Sequence, residues 1–265
     1  MKYTEKEMLK FYKLKKIIID NCKKCNGLKL DGDGSHCDCF ILFNFIKKLI
    51  TSNLIRIYFD KNIAMLEIDK TVKIFINKYI TNIESGIEKS MGFILLGSNG
   101  IGKTTVLHIV AFEALIKQFN VMYIRTSDIF KNIFDKDEVL SNRIANASLI
   151  LLDELDKVYI KNSKWTLHNV DNFLRENLKD KSILIATNWS EEEIEEHFEK
   201  SIYSLLKRYN KFIAMTGEDY SDKLHATWSS RLQTEKFDWN ILIPMAKEWN
   251  NQRIKKLKNE YDVVL

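Results

Sequence analysis

Nine consecutive residues, Gly97-Ser98-Asn99-Gly100-Ile101-Gly102-Lys103-Thr104-Thr105, fit the pattern G-x-x-x-x-G-K-[ST] without a mismatch. They follow an apolar run, Phe93-Ile94-Leu95-Leu96, and open a helical pattern that continues to about Phe119. Strand, glycine loop and helix is the context a phosphate-binding loop requires. A triphosphate needs several N–H donors aimed at one point, and a tight glycine turn lets the backbone wrap it. The helix starting near Lys103 adds its positive dipole end. Lys103 is suited to the β- and γ-phosphates of such a group, and the Thr104 hydroxyl to a bridging Mg²⁺. A chance glycine turn is the alternative.

About fifty residues after the glycine loop, Leu149-Ile150-Leu151-Leu152-Asp153-Glu154 reads as a strand with two carboxylates at its C-terminal end. Asp153 is placed to hold Mg²⁺ opposite Thr104. Glu154 is placed to polarise a water for in-line attack. Asn188 closes another apolar run, Ile183 to Thr187, and could orient that water or sense the γ-phosphate. An ordinary turn residue is the other reading of Asn188.

A second chemistry lies upstream. All four cysteines fall within eighteen residues: Cys22, Cys25, Cys37 and Cys39, with Gly27, Gly32 and Gly34 between the pairs. Paired thiolates at short spacing each clamp one edge of a tetrahedron, so the pattern predicts a structural zinc site. His36 is a substitute ligand that the count does not need. Four buried free thiols are the alternative.

These sites need elements to hold them. The 265 residues suffice for one large domain or a medium domain with appendages. Apolar content of 45% and charged content of 29% are ordinary for a globular chain. The net charge of +5 permits an anionic partner without demanding one. No run is long enough to span a bilayer and no targeting segment is visible, so a cytoplasmic location is expected.

Residues 2 to 20 predict a helix with Lys2, Lys6, Lys10 and Lys13 on one side and Met8, Phe11, Leu14 and Ile18 on the other. The lysines make either a solvated face or a surface for a phosphate backbone or a docking partner. Phe40 to Leu49 predicts a helix against the zinc module, residues 52 to 60 a short strand or linker, and Ile68 to Glu88 a further helix. Besides Phe93–Leu96, strands are expected at Val121–Ile124, Leu149–Glu154, Ile183–Asn188 and Phe212–Thr216, with a helix over Ile129–Phe134 capped by the preceding Thr126-Ser127-Asp128. Strands alternating with helices imply an α/β fold, a parallel sheet with helices on both faces. Ligands in such sheets bind at the carboxyl ends of the strands, where Gly97 to Thr105, Asp153, Glu154 and Asn188 all fall.

The motifs GSNGIGKTT, LILLDEL and IATN, with Ser204-Leu205-Leu206-Lys207-Arg208-Tyr209 and Gly217-Glu218-Asp219-Tyr220, resemble an AAA+ ATPase. The branch they look like is the bacterial and phage replicative helicase loaders of DnaC and DnaI type, with the IstB transposition proteins as relatives. The resemblance covers roughly residues 70 to 220. It implies three parts: a partner-docking helix and four-cysteine zinc module over 1–60, an ATP-binding core over 61–217, and a C-terminal extension over 218–265. It further implies an oligomer on single-stranded DNA, ATP and Mg²⁺ held between subunits, and a replicative helicase as partner. Loaders usually carry Ser-Arg-Leu where this chain has Ser204-Leu205-Leu206, and that arginine completes a neighbour's site. Arg208, one turn on, is the candidate replacement and Lys207 a weaker one. For DNA, Phe130, Lys131, Phe134 and Lys136 interleave aromatics with lysines, although the Phe residues also suit a core.

Two other readings remain. An IstB-like transposition ATPase is one, against which the cysteine module counts. A nucleotide-gated adaptor with little hydrolysis is the other, which Leu205 favours and Glu154 opposes. In the extension, Trp228, Trp239 and Trp249 read as packing anchors, Pro244 as a helix start, and Arg253, Lys255, Lys256 and Lys258 as a basic tail.

Overall fold

The computed structural model describes residues 3–157, 164–220 and 238–262, with the backbone alone at 132–134, 164 and 258–262. Trp228 and the side chains of Phe134 and Lys258 lie outside the described residues. The chain divides into two compact units. One comprises Met1–Asp60, Leu115–Gln118 and Glu235–Leu265, the other Lys61–Ala114 and Phe119–Thr234.

The larger unit is built on a five-stranded sheet. Strands β1 (Gly92–Leu96), β2 (Val121–Arg125), β3 (Leu149–Asp153), β4 (Ser182–Thr187) and β5 (Asn210–Ala214) run in the order β2-β3-β4-β1-β5. Every neighbouring pair is parallel. Strands buried on both faces are apolar at successive positions, which is why β1, β3 and β4 read as unbroken hydrophobic runs. Side chains alternate between the faces. Ile94, Leu96, Met122, Ile124, Ile150, Leu152, Ile183 and Ile185 share one cluster with Ile129, Val170, Leu174, Ile194, Ile202 and Leu206. Those partners come from α6 (Thr126–Asp135), α8 (Lys164–Asn177), α9 (Glu191–His197) and α10 (Lys200–Tyr209). Residues of opposite parity meet other helices. Phe93 receives Phe75 and Tyr79 edge-on from α3 (Lys70–Thr81). Tyr123 meets His108 of α5 (Lys103–Ile116). Each large side chain so buried contributes about 1.5–3 kcal/mol.

Three elements differ from the sequence reading in their bounds, each for a local reason. The helix expected over 68–88 starts at Lys70, where the Asp69 carboxylate caps the Thr71 N–H at 2.6 Å. It breaks at Asn82 before α4 (Ile83–Glu88). Thr81 Oγ1 and Asn82 Nδ2 donate back to the carbonyls of Asn77 and Lys78, competing with the helix's own ladder. Helix α6 begins at Thr126 because Asp128 Oδ2 accepts the Arg125 N–H at 2.9 Å. Strand β5 runs two residues earlier than expected, since α10 ends at Tyr209 and Asn210 pairs at once with Gly92. A short helix, α7 (Glu138–Ala145), completes the unit among the described residues.

In the smaller unit, α1 (Glu5–Lys15) opens with a capping box between Thr4 and Glu7 and widens into a π turn over Lys16–Asp20. Phe11, Leu14 and Ile18 are buried, but Met8 is exposed. Helix α2 (Asp38–Thr51) buries Leu42, Phe45, Ile46 and Leu49. Residues 56–58 form a 3-10 turn in place of a strand. Helix α11 (Ile243–Asp262) packs on α2: Trp249 meets Phe45 with ring centroids 5.8 Å apart, and Lys247 pairs with Asp38 at 3.0 Å. Trp249 is thus a packing anchor, with the Arg253 guanidinium 5.4 Å from its ring.

Candidate nucleotide and metal sites

The glycine loop leaves β1 and enters α5, whose first closing bond runs from the Val106 N–H to the Gly102 carbonyl at 3.0 Å. Two of its glycines are required by close approach. A Cβ on Gly97, at φ +142°, would stand 2.4 Å from the Met215 carbonyl oxygen. One on Gly100, at φ +77°, would strike the Asp219 carboxylate. The segment after β5 therefore crosses the loop. It is tied there by Met215 N–H to Leu96 O at 2.8 Å and Tyr220 N–H to Gly100 O at 3.1 Å. The Tyr220 hydroxyl also accepts from the Glu67 N–H.

Behind the loop, Lys103 is buried and makes three hydrogen bonds: to Gly97 O and Ser98 O at 2.6 Å each, and to Asn188 Oδ1 at 2.9 Å. Burial lowers the pKa of its ammonium, while the charges of Asp156 and Asp153 work against that. Thr104 Oγ1 donates to Asp153 Oδ2 at 2.8 Å. Loop, β3 and β4 thus meet as sequence reading expected, because β4 lies between β1 and β3. Asp153 is only 4% exposed. A hydroxyl and a buried carboxylate side by side at a phosphate loop make an all-oxygen donor set suited to Mg²⁺.

Glu154 is exposed and its backbone is left-handed, φ +57°. Its N–H donates to Asp153 Oδ1 at 2.9 Å. A non-glycine residue held in this region costs on the order of 1 kcal/mol, and such strain clusters at functional sites.

Asp156 is one residue that sequence reading missed. Its carboxylate accepts the Asn188 N–H at 3.0 Å on Oδ1 and the Asn188 side-chain amide at 2.9 Å on Oδ2. That fixes the amide so that its oxygen faces Lys103. The signal was present as Asp-Glu-Leu-Asp, where one short turn over 155–157 carries the third carboxylate to β4. Tyr123 was missed too: its hydroxyl donates to Asp153 Oδ2 at 3.0 Å. Burial first, and then the Asp153 charge, push its pKa upward, so it stays a donor. His108 is fully buried, and burial holds it down to about 4, so its ring is neutral at pH 7.

The profile of the AAA family, ATPase family associated with various cellular activities, matches residues 93–236, more than half of the chain. The chain belongs to this family. It is an AAA+ protein of nucleotide-binding ATPase kind. No curated protein matches it by sequence. Several solved structures are similar at distant levels. The crystal structure of DnaI is 17% identical, with TM-score 0.49, over 62% of this chain and 95% of that one. A primosome component of Streptococcus pyogenes serotype M3 is 16% identical, with TM-score 0.48, over 64% and 97%. The DnaC helicase loader is 18% identical, with TM-score 0.47, over 61% and 100%.

Within this AAA+ core, Leu205 packs half-buried against the helix–sheet cluster. Lys207 is drawn to Glu191 at 3.4 Å and donates to the Tyr203 hydroxyl. Arg208 is exposed and makes no ion pair among the described residues. Phe130 is half-buried with its ring 5.9 Å from Trp165, while Lys131 and Lys136 are exposed.

The cysteines gather in the smaller unit. All four Sγ atoms lie within 4.8 Å of one another, with Cys22–Cys37 at 3.8 Å and Cys25–Cys39 at 3.5 Å. A tetrahedron with Zn–S bonds of about 2.3 Å has edges of about 3.8 Å, so the thiols fit that ion. A bridge between Leu30 and His36 closes the second turn, and His36 points its ring at Phe40 rather than joining the cluster. Burial drives Cys39 upward and Cys37 up to about 11. At Cys25 burial also acts to raise the thiol, but the Lys29 N–H and the neighbouring thiols outweigh it and bring it to about 7. A cation among them would convert the remaining thiols to thiolates. No helix among the described residues is long and apolar enough to cross a membrane.

Proposed function

We propose that this chain is an ATP-dependent helicase-loader-like ATPase that oligomerises on single-stranded DNA and docks a replicative helicase. The observation that carries the ATPase part is the junction of Lys103, Thr104, Asp153 and Asn188 at the ends of three adjacent strands. The N–H groups of Gly97 to Thr105 would wrap the phosphates. A phosphate oxygen outcompetes the neutral carbonyls for the Lys103 ammonium, because charge-assisted hydrogen bonds are about twice as strong. Mg²⁺, held by Thr104 and Asp153, would offset charge on the phosphates. Asn188, oriented by Asp156, would sense the terminal phosphate. Glu154 would accept the proton of an attacking water. The core is assigned to 61–217, and Cys22, Cys25, Cys37 and Cys39 to a structural Zn²⁺ in the docking module of 1–60. Residues 218–265 remain an extension without an assigned role. The helicase partner, the DNA and a cytoplasmic location rest on the motif resemblance.

Exposed Arg208 would complete a neighbouring subunit's site. Leu205, packed where loaders carry that arginine, favours a second reading: an adaptor that uses ATP to set its shape and turns over little. Turnover by the purified chain, with and without single-stranded DNA and beside Glu154→Gln, separates them. DNA-stimulated hydrolysis that falls about 10²-fold in the variant, with ATP binding retained, supports the loader. Tight binding with negligible turnover throughout supports the adaptor. Co-purification with a replicative helicase rather than a transposase tests the branch.

A further inference from the structure

Among the described residues the Asp153 carboxylate accepts three hydrogen bonds, and their origins are unequal. Thr104 Oγ1 reaches Oδ2 at 2.8 Å, the Glu154 N–H reaches Oδ1 at 2.9 Å, and the Tyr123 hydroxyl reaches Oδ2 at 3.0 Å. The first donor is itself a candidate cation ligand and turns away when it takes that role. The second is backbone and can restrain only one oxygen. The torsion that orients an aspartate carboxylate is broad, so a third restraint matters. Tyr123 supplies it from β2, whose Arg125 is the register partner of Asp153.

The tyrosine is itself wedged. It is 3% exposed, and its ring lies 4.8 Å from the fully buried His108 ring. Nδ1–H of His108 donates to the Thr104 carbonyl at 2.8 Å. Strand β2 and helix α5 are thus braced through two rings, and each end of the brace touches one of the two candidate cation ligands.

We propose that Tyr123 is a positioning residue: its hydroxyl fixes the Asp153 carboxylate for a divalent cation, and His108 fixes the tyrosine. This rests on the reading that Thr104 and Asp153 hold Mg²⁺ beside a nucleotide. Tyr123→Phe keeps the ring and deletes only the hydroxyl. Binding of fluorescent mant-ADP to the full-length chain, followed across a Mg²⁺ titration and in EDTA, tests it. The Mg²⁺ concentration for half-maximal tight binding should rise about tenfold, as for other groups that orient metal ligands. Affinity in EDTA should stay within twofold of wild type. His108→Asn should shift the Mg²⁺ requirement in the same direction by a smaller factor. A Tyr123→Phe titration that overlays wild type overturns the proposal. So does equal weakening in Mg²⁺ and in EDTA, which marks a role in the loop's shape. Wild-type chain whose mant-ADP binding ignores Mg²⁺ would instead overturn the parent reading of Thr104 and Asp153.

Discussion

The cysteine cluster takes its four thiols from eighteen consecutive residues, whereas the proposed nucleotide site takes Lys103, Asp153, Asp156 and Asn188 from the ends of three strands. The first needs two turns and brings four thiols within 4.8 Å. The second needs a whole sheet in the right order, since Asn188 reaches Lys103 only because β4 lies beside β1. The difference teaches where each site's stability comes from. A small knuckle has little apolar surface of its own and would depend on the ion proposed for it. The nucleotide site is held by a core that folds for other reasons, and its polar groups already satisfy one another.

Removing the metal should give the largest effect. Structural zinc contributes roughly 10 kcal/mol or more to folding a small module. Cys25→Ser or strong chelation should strip one zinc per chain and open residues 20–40 to protease, read by metal analysis and limited proteolysis. Full protection without metal would break the contrast. Lys103→Ala comes next. Losing a buried ammonium with two or more charge-assisted bonds should weaken ATP about 10³-fold, roughly 4 kcal/mol, by calorimetric titration. Zinc content should stay at one per chain.

A third test uses pH. His108 sits at about 4 when folded, below its ordinary 6.5. The unfolded chain therefore takes up the proton first as pH falls. The stability this histidine protects is complete above pH 6.5 and is lost progressively as pH falls toward 4. The total is roughly 3 kcal/mol. Denaturant melts of wild type against His108→Gln isolate it, since other groups titrate in both. The smallest effect is expected at Asp156→Asn, which keeps the shape and weakens the hold on the Asn188 amide. Turnover should fall about tenfold, or 1.4 kcal/mol, with KM changed less. A change in KM alone would move Asp156 from orientation to binding.

The same contrast explains what could be read from sequence. The glycine loop, the acidic strand end and the cysteine pairs are local patterns, and they sit where expected. Asp156 and Tyr123 were missed because their roles depend on neighbouring strands: one looks like a turn carboxylate, despite the Asp-Glu-Leu-Asp run that carries it, the other like a core aromatic. The break at Asn82 was lost beneath a strong apolar period that continues on either side of it. Met8 has helical spacing with Phe11 yet is exposed, since periodicity marks a face and not the width that packing covers. The packing of α11 on α2 joins sequence-distant segments that no local pattern links.

Among the described residues, strand β1 pairs with β4 and β5, and the strap across its loop is tied down at Tyr220. During synthesis β1 is therefore made before either of its neighbours, and some ninety residues separate it from β4. At about 5–20 residues per second, an apolar strand waits on the order of ten seconds on the ribosome without its partners. The loop it carries takes its final form later still, when Tyr220 emerges to bond Gly100. Slow elongation upstream of β4 should thus endanger the newborn chain more than slow elongation after Tyr220, because it prolongs the interval in which β1 is exposed to other nascent chains.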